Sequence, residues 1–292
     1  MSIDVRVKRK TMEYISQFIS YLQERNLSPN TVKVYSDNLI EFWKFLGKRK
    51  LSIRAVKREQ VRSFLFSLSE KNNQPITRRA KLTTIRSFFR YLEDEGLIEK
   101  NPTKNLPLPK VEIKEPMFLQ KSEIKKLLQI VKKDKRAEVA IRILVETGIR
   151  LSELTGISIG DIDTARKTIK IKRKGNIEQI VPINSGISKL IKSFVKNKNA
   201  DMPLIANRMG KRMTQRRVAI MVHDYLKKAK IDRDGISVHS FRHSFCVRML
   251  ENKVNLKTIQ LLCGHKSIST TERYLHIANP ELRQSIKMAE VL

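Results

Sequence analysis

Four prolines, at positions 102, 107, 109 and 116, fall inside one stretch, 101–116, that shows no helical period. Each fixes φ and removes a backbone donor, so neither a helix nor a central strand can run through them. The stretch reads as an extended linker that cuts the chain in two, and each side must then build its own core. With 292 residues the chain is long enough for this, since single cores usually split by about 250–300 residues. The expected organisation is a first domain over 1–105, a linker over 106–116 and a second domain over 117–292.

On the N-terminal side, Met12, Ile15, Phe18, Ile19 and Leu22 follow the i, i+3, i+4, i+7 spacing of an amphipathic helix, predicted over 11–25. Ser28-Pro29 then supplies an N-cap and a first-turn proline, and Val32, Tyr35, Leu39, Phe42, Trp43 and Leu46 carry a second helix to Gly47. Third and fourth helices are expected over 58–70 and 76–95. This half therefore reads as all-helical.

Beyond the linker, helices are expected over 122–131 and 137–147, the second apolar enough to be buried, with Gly148 as its stop and Arg150 just after it. TIKIKR, at 168–173, alternates apolar and basic residues; Lys174-Gly175-Asn176 turns, and 177–183 returns, which predicts a β-hairpin with a lysine near its tip. Helices follow over 186–196 and 214–228. A last amphipathic helix over 280–292 would close its own domain or dock on another subunit. The fold class is mainly α with a small β-hairpin.

Sixty Lys and Arg stand against 29 Asp and Glu, a net charge of +31, which is far more than solubility requires. A polyanion is the expected partner. Lys8-Arg9-Lys10, Lys48-Arg49-Lys50 and Arg78-Arg79-Lys81 would each singly be a solvated helix face, but basic clusters in both halves together favour a clamp. Cys246 and Cys263 lie in apolar helical patterns without CxxC spacing, so neither a disulfide framework nor a cysteine-rich zinc site is indicated, and a reducing compartment is expected. No apolar run approaches the roughly 18 residues of a membrane span, and no apolar leader follows the first basic residues.

Chemistry concentrates in 238–276, where His239, Arg242, His243, His265 and Tyr274 fall together. These groups can grip the non-bridging oxygens of a phosphate, manage a proton and supply an oxygen nucleophile. His239, Arg242 and His243 stand at i, i+3, i+4 and share a helix face. Two histidines four apart is also a zinc spacing, but serine follows His239, so the HExxH base is missing, and flanking cations would repel a divalent ion. No metal site is expected. Singly, Arg150 reads as a helix cap, Glu153 as structural, Lys174 as a solvated hairpin residue and Tyr274 as a buried helix tyrosine.

Their order along the chain changes that reading. Arg150 in TGIRLSEL, the hairpin lysine in KRKGNIEQIVP, His239-x-x-Arg242 with His243, Gly264-His265 and Tyr274 resemble the motif series of the tyrosine recombinases. SPNTVKVYSDNLIEFWKFL and RSFFRYLEDEGLIEKNP resemble the family's N-terminal core-binding domain. Among subgroups the chain is most similar to the compact Xer-type enzymes, with no arm-binding domain expected ahead of the helical one.

The resemblance implies a SAM-like all-α core-binding domain and an α+β catalytic domain closing as a C-shaped clamp on double-stranded DNA. Arg150 and Arg242 match the arginines that bind the scissile phosphate, Lys174 the residue that protonates the departing 5′-oxygen, and His239 the residue assisting proton transfer. His265 matches the residue that hydrogen-bonds the phosphate, and Tyr274 the nucleophile. Arg173 stands where glycine is common, so which hairpin cation enters the site is open; Cys263 stands where leucine is frequent, a packing change. His243 is expected to be a support residue. Also implied are a 3′-phosphotyrosyl intermediate, a Holliday junction, no cofactor, inverted-repeat sites, a homotetramer exchanging C-terminal helices, accessory DNA-bound proteins and a cytoplasmic, nucleoid location. The competing readings are a type IB topoisomerase and a non-catalytic DNA-binding relative.

Overall fold

The computed structural model describes residues 3–49, 51–112, 115–173, 175, 177–265 and 267–275, with side chains from Lys10 onward. The chain folds as two compact units, Met1–Ile113 and Lys114–Leu292.

The first unit holds α1 (Ile3–Glu24), α2 (Pro29–Gly47), α3 (Arg58–Glu70) and α4 (Pro75–Asp94). At the start of α2 the Ser28 hydroxyl accepts the Thr31 N–H at 3.3 Å while Pro29 takes the first helical position, where no N–H is needed. Asn26 and Asn72, both at φ 55°, turn the chain just beyond α1 and α3, a left-handed exit that asparagine tolerates. Phe18, Phe42, Phe64, Phe88 and Phe89 are fully buried and meet edge to face, Phe42 and Phe64 with ring centroids 5.0 Å apart. Each such side chain contributes roughly 1.5–3 kcal/mol of burial, and the rings pack among buried leucines, isoleucines and valines such as Leu39, Leu46, Val61, Leu82 and Ile85. The first helix begins eight residues earlier than the apolar period predicts. Hydrophobic spacing reports the buried face of a helix, and the intrinsic helix propensity of Lys and Arg leaves no such trace.

The second unit contains α5 (Lys121–Val131), α6 (Lys135–Thr147), α7 (Leu151–Gly156), the strands β1 (Ile162–Asp163), β2 (Thr168–Arg173) and β3 (Ile177–Pro182), then α8 (Ser185–Phe194), α9 (Gln215–Lys228), α10 (Val238–Glu251), α11 (Leu256–Cys263) and α12 (Ser269–Glu272). α6 runs through its centre, with Ala137, Val139, Ala140, Ile141, Ile143, Leu144 and Val145 buried on every side. The sheet is antiparallel in the order β1-β2-β3, with Ile169 opposite Val181 and Arg173 opposite Ile177. Ile169, Ile171 and Val181 face the core, and Lys170 and Lys172 face outward. The mainly helical class and the hairpin are therefore as expected, and the two-residue strand β1 adds a short third member that was too brief to show a period.

α6 stops at Gly148, φ 65°, and a Cβ there would clash with the Phe245 ring. The left-handed turn and the close approach together demand glycine. Both serve the site, because the turn delivers Arg150 to the start of α7 and brings α10 alongside α6. Lys174 and the expected helix over 280–292 lie outside the described residues.

Candidate active site

Two arginines expected to act together do converge. Arg150 caps the start of α7, where Glu153, itself buried, accepts its backbone N–H at 2.8 Å and its Nη1 at 2.8 Å. This pairing orients the guanidinium, and Nη2 then reaches the Gly264 carbonyl at 3.0 Å. Glu153 thus has the structural role that the sequence suggested. Arg242, on α10, is only 6% exposed. A buried cation needs partners, and it finds the Gly148 carbonyl at 2.7 Å and the Cys263 carbonyl.

A third guanidinium joins them. Arg173, at the end of β2, is 8% exposed and donates through Nη2 to the Leu262 carbonyl at 2.6 Å and through Nη1 to that of Cys263. Its Nη1 lies 4.0 Å from Glu153 Oε1. Burial, with Arg242 and Arg150 close by, holds this guanidinium below the ordinary arginine value. Gln179 of β3 donates to the Leu261 carbonyl at 3.0 Å. The four consecutive carbonyls 261–264, at the partially negative end of α11, are therefore the surface on which strands β2 and β3, α7 and α10 come together. A signal for Arg173 was present in the hairpin: it stands in the same alternate register as Ile169 and Ile171, so it points toward the core while Lys170 and Lys172 point to solvent.

Just beyond α11, His265 accepts or donates at Nδ1 to the buried Thr271 hydroxyl at 2.8 Å. Burial, followed by the charges of Arg242, Arg150 and Arg173, pushes its pKa down to about 4, so the ring is neutral at pH 7. Tyr274 is 3% exposed, and its hydroxyl lies 2.7 Å from Nδ1 of His243. Burial raises the phenol above its ordinary value, and burial with the charges of His239, Arg242 and Arg273 lowers His243 to about 4. Both partners are neutral at pH 7, and the phenol donates when Nδ1 is unprotonated. His243, expected as a support residue, is the one that holds the phenol. His239, one helical turn earlier, is exposed and makes no hydrogen bond among the described residues.

The two cysteines, which sequence spacing left unrelated, are both buried with their Sγ atoms 3.4 Å apart, and a ring nitrogen of His265 lies within 4.8 Å of each. α10 and α11 pack across this contact, beside Tyr274 in one apolar cluster with Phe245, Val247 and Ile259. Helix-to-helix packing brings them together, which no local spacing encodes.

A sequence model described as the phage integrase family matches residues 117–281, and one described as the phage integrase N-terminal SAM-like domain matches residues 15–96. The chain belongs to the phage integrase family and is a tyrosine-type site-specific DNA recombinase. It is 34% identical over 290 residues to the tyrosine recombinase XerC of Oceanobacillus iheyensis, covering 93% of this chain and 94% of that protein. To the tyrosine recombinase XerD of Rickettsia bellii it is 32% identical over 297 residues, covering 94% of this chain and 97% of the relative. The crystal structure of the XerH site-specific recombinase bound to palindromic difH substrate, a post-cleavage complex, matches with a TM-score of 0.75 at 23% identity, covering 91% of this chain and 82% of that one; at this identity the likeness establishes the fold. Among the described residues no helix is long and apolar enough to cross a membrane.

Proposed function

We propose that Tyr274 is the nucleophile of this recombinase. Its hydroxyl oxygen attacks the scissile phosphorus, the bond to the 5′-oxygen breaks, and a 3′-phosphotyrosyl linkage forms. Lys174 gives a proton to the departing 5′-oxygen, which leaves as a hydroxyl. The new phosphodiester keeps the energy of the old one, so a 5′-hydroxyl from a second duplex reverses the step and builds a Holliday junction. Arg150 and Arg242 bind the two non-bridging oxygens; their forked donors suit that geometry and the charge that grows on pentacoordinate phosphorus. His265, neutral at pH 7, adds a hydrogen bond to the phosphate through its free ring nitrogen.

The single observation that supports this reading best is the 2.7 Å contact of the Tyr274 phenol with His243, in a unit where Arg150, Arg242 and His265 gather around the end of α11. A buried phenol cannot touch a DNA phosphate where it stands, so it must leave His243 before it reacts. In this reading His243 stores the phenol at rest, and His239, exposed one turn away, assists proton transfer once the phenol has moved.

DNA is the partner. Paired inverted-repeat sites, a homotetramer joined by exchange of the segment 280–292, accessory DNA-bound proteins and action in the cytoplasm at the nucleoid complete the proposal. Xer-like dimer resolution and mobile-element integration or excision are both served by this chemistry. A nicked suicide duplex containing a site selected by the protein tests the nucleophile: the wild type should trap a covalent protein–DNA adduct, and Tyr274→Phe should trap none. Adduct formation by Tyr274→Phe would overturn the assignment. Relaxation of supercoiled DNA without paired sites would instead favour a topoisomerase.

A further inference from the structure

We propose that Arg173 is a positioning residue for leaving-group protonation, which it serves by clamping the β2–β3 hairpin to the C-terminal carbonyls of α11. This rests on the reading of Lys174 as the general acid.

The clamp is built from both sides. Arg173 presents two forked donors to two successive carbonyls, Leu262 and Cys263, and Gln179 on the partner strand adds a third contact at Leu261. A Cβ on Gly264, φ 62°, would overlap the Arg173 guanidinium, so the chain after α11 is glycine where the arginine crosses it. Arg173 also shares the Cys263 carbonyl with Arg242. A carbonyl oxygen has two lone pairs, so when Arg242 turns toward a phosphate the Cys263 oxygen stays satisfied by Arg173, and the hairpin stays docked.

The chemical consequence lies one residue further on. Lys174 follows Arg173 directly, and adjacent Cα atoms are about 3.8 Å apart, so the clamp tethers the general acid to the end of α11 that also receives Arg150 and Arg242. A lysine on a free hairpin tip would sample many positions; a tethered one has far fewer. Placing a third guanidinium beside Arg150 and Arg242 is costly by like-charge repulsion, and the α11 carbonyls with Glu153 at 4.0 Å offset that cost. Position 173 thus couples hairpin position to the phosphate-binding arginines.

The test is single-turnover cleavage by the full chain on a nicked suicide duplex carrying a site selected by the wild-type protein. Two forms are compared, one with the natural 5′-oxygen and one with sulfur in its place. A thiol leaving group, pKa about 8.5, departs without a general acid, whereas an alkoxide does not. Arg173→Gln should cleave the oxygen substrate about 10²-fold more slowly with DNA affinity within about twofold of wild type, and the deficit should shrink below about threefold on the sulfur substrate. Lys174→Ala should show the same rescue. Gly264→Ala, which displaces the guanidinium without removing its charge, should reproduce the Arg173→Gln pattern and decides the matter if Arg173→Gln does not fold. Rescue of Lys174→Ala without rescue of the two clamp variants overturns the positioning role and leaves the general acid standing. No rescue of Lys174→Ala overturns the general-acid reading; if Arg173→Gln is rescued in that case, Arg173 is itself the acid and the positioning role fails as well.

Discussion

His243 and His265 make the site a source of pH-dependent stability. Both have pKa values pushed down to about 4 in the folded chain, against about 6.5 when unfolded. Between those values the unfolded chain binds more protons than the folded one, so stability rises with pH across the window and is lost as pH falls from 6.5 toward 4. A full shift of this size corresponds to about 3 kcal/mol per histidine at about 1.36 kcal/mol for each pKa step. Both rings are partly open to solvent, so screening reduces this to about 1–2 kcal/mol each. Each ring faces cations from several elements: His243 meets His239 and Arg242 on its own helix and Arg273 beyond α12, while His265 meets Arg150, Arg173 and Arg242. Because His243 also acts on His265, the two effects will not simply add. Urea unfolding of the second unit at pH 7.5, 6.5, 5.5 and 4.5 should show wild-type stability falling by about 2–3 kcal/mol over the range. The double variant His243→Gln, His265→Gln should lose most of that slope while remaining within about 2 kcal/mol of wild type at pH 7.5. An unchanged slope in the double variant would show that these rings are not held neutral by burial, and the reasoning would fail.

Other variants probe separate parts of the same site. Tyr274→Phe keeps the buried ring and removes one hydrogen bond, so it should unfold at most about 1–1.5 kcal/mol more easily while forming no covalent DNA adduct, as read by denaturing gel. Arg242→Lys replaces a fork that spans the Gly148 and Cys263 carbonyls with a single ammonium; cleavage should fall about 10²–10³-fold with a much smaller loss of DNA affinity. Gly148→Ala combines a left-handed backbone with a clash against Phe245 and should cost about 2–4 kcal/mol in urea unfolding. DNA affinity, measured by fluorescence anisotropy, should decline steeply and linearly in log–log form with salt, and a slope near zero would contradict phosphate contact by this +31 chain.

Much of the molecule was legible before any coordinates. Helix α2 begins where Ser28 and Pro29 place it and ends at Gly47, because capping is a local exchange of hydrogen bonds. Candidate site residues could be named because their types and order are distinctive. What they do to one another was less legible. His243 was expected to support the site, yet it is the residue in contact with Tyr274, 31 positions away in sequence, across packing that joins α10 to the segment after α12.

The sequence alone determined the helical class, the hairpin and the basic character, and it led to the expected division at the prolines and to the candidate site residues. Those depend on φ restriction, periodicity, net charge and residue chemistry, all of which are read within a few neighbouring positions. Tertiary structure decided that three arginines, from the start of α7, from β2 and from α10, meet at the three carbonyls 262–264 at the end of α11, that two cysteines touch, and that the Tyr274 phenol is buried against His243. Each of these is a contact between distant segments, fixed by how helices pack around α6, and backbone carbonyls, which every residue carries alike, leave no mark in a sequence to announce that they will be the acceptors.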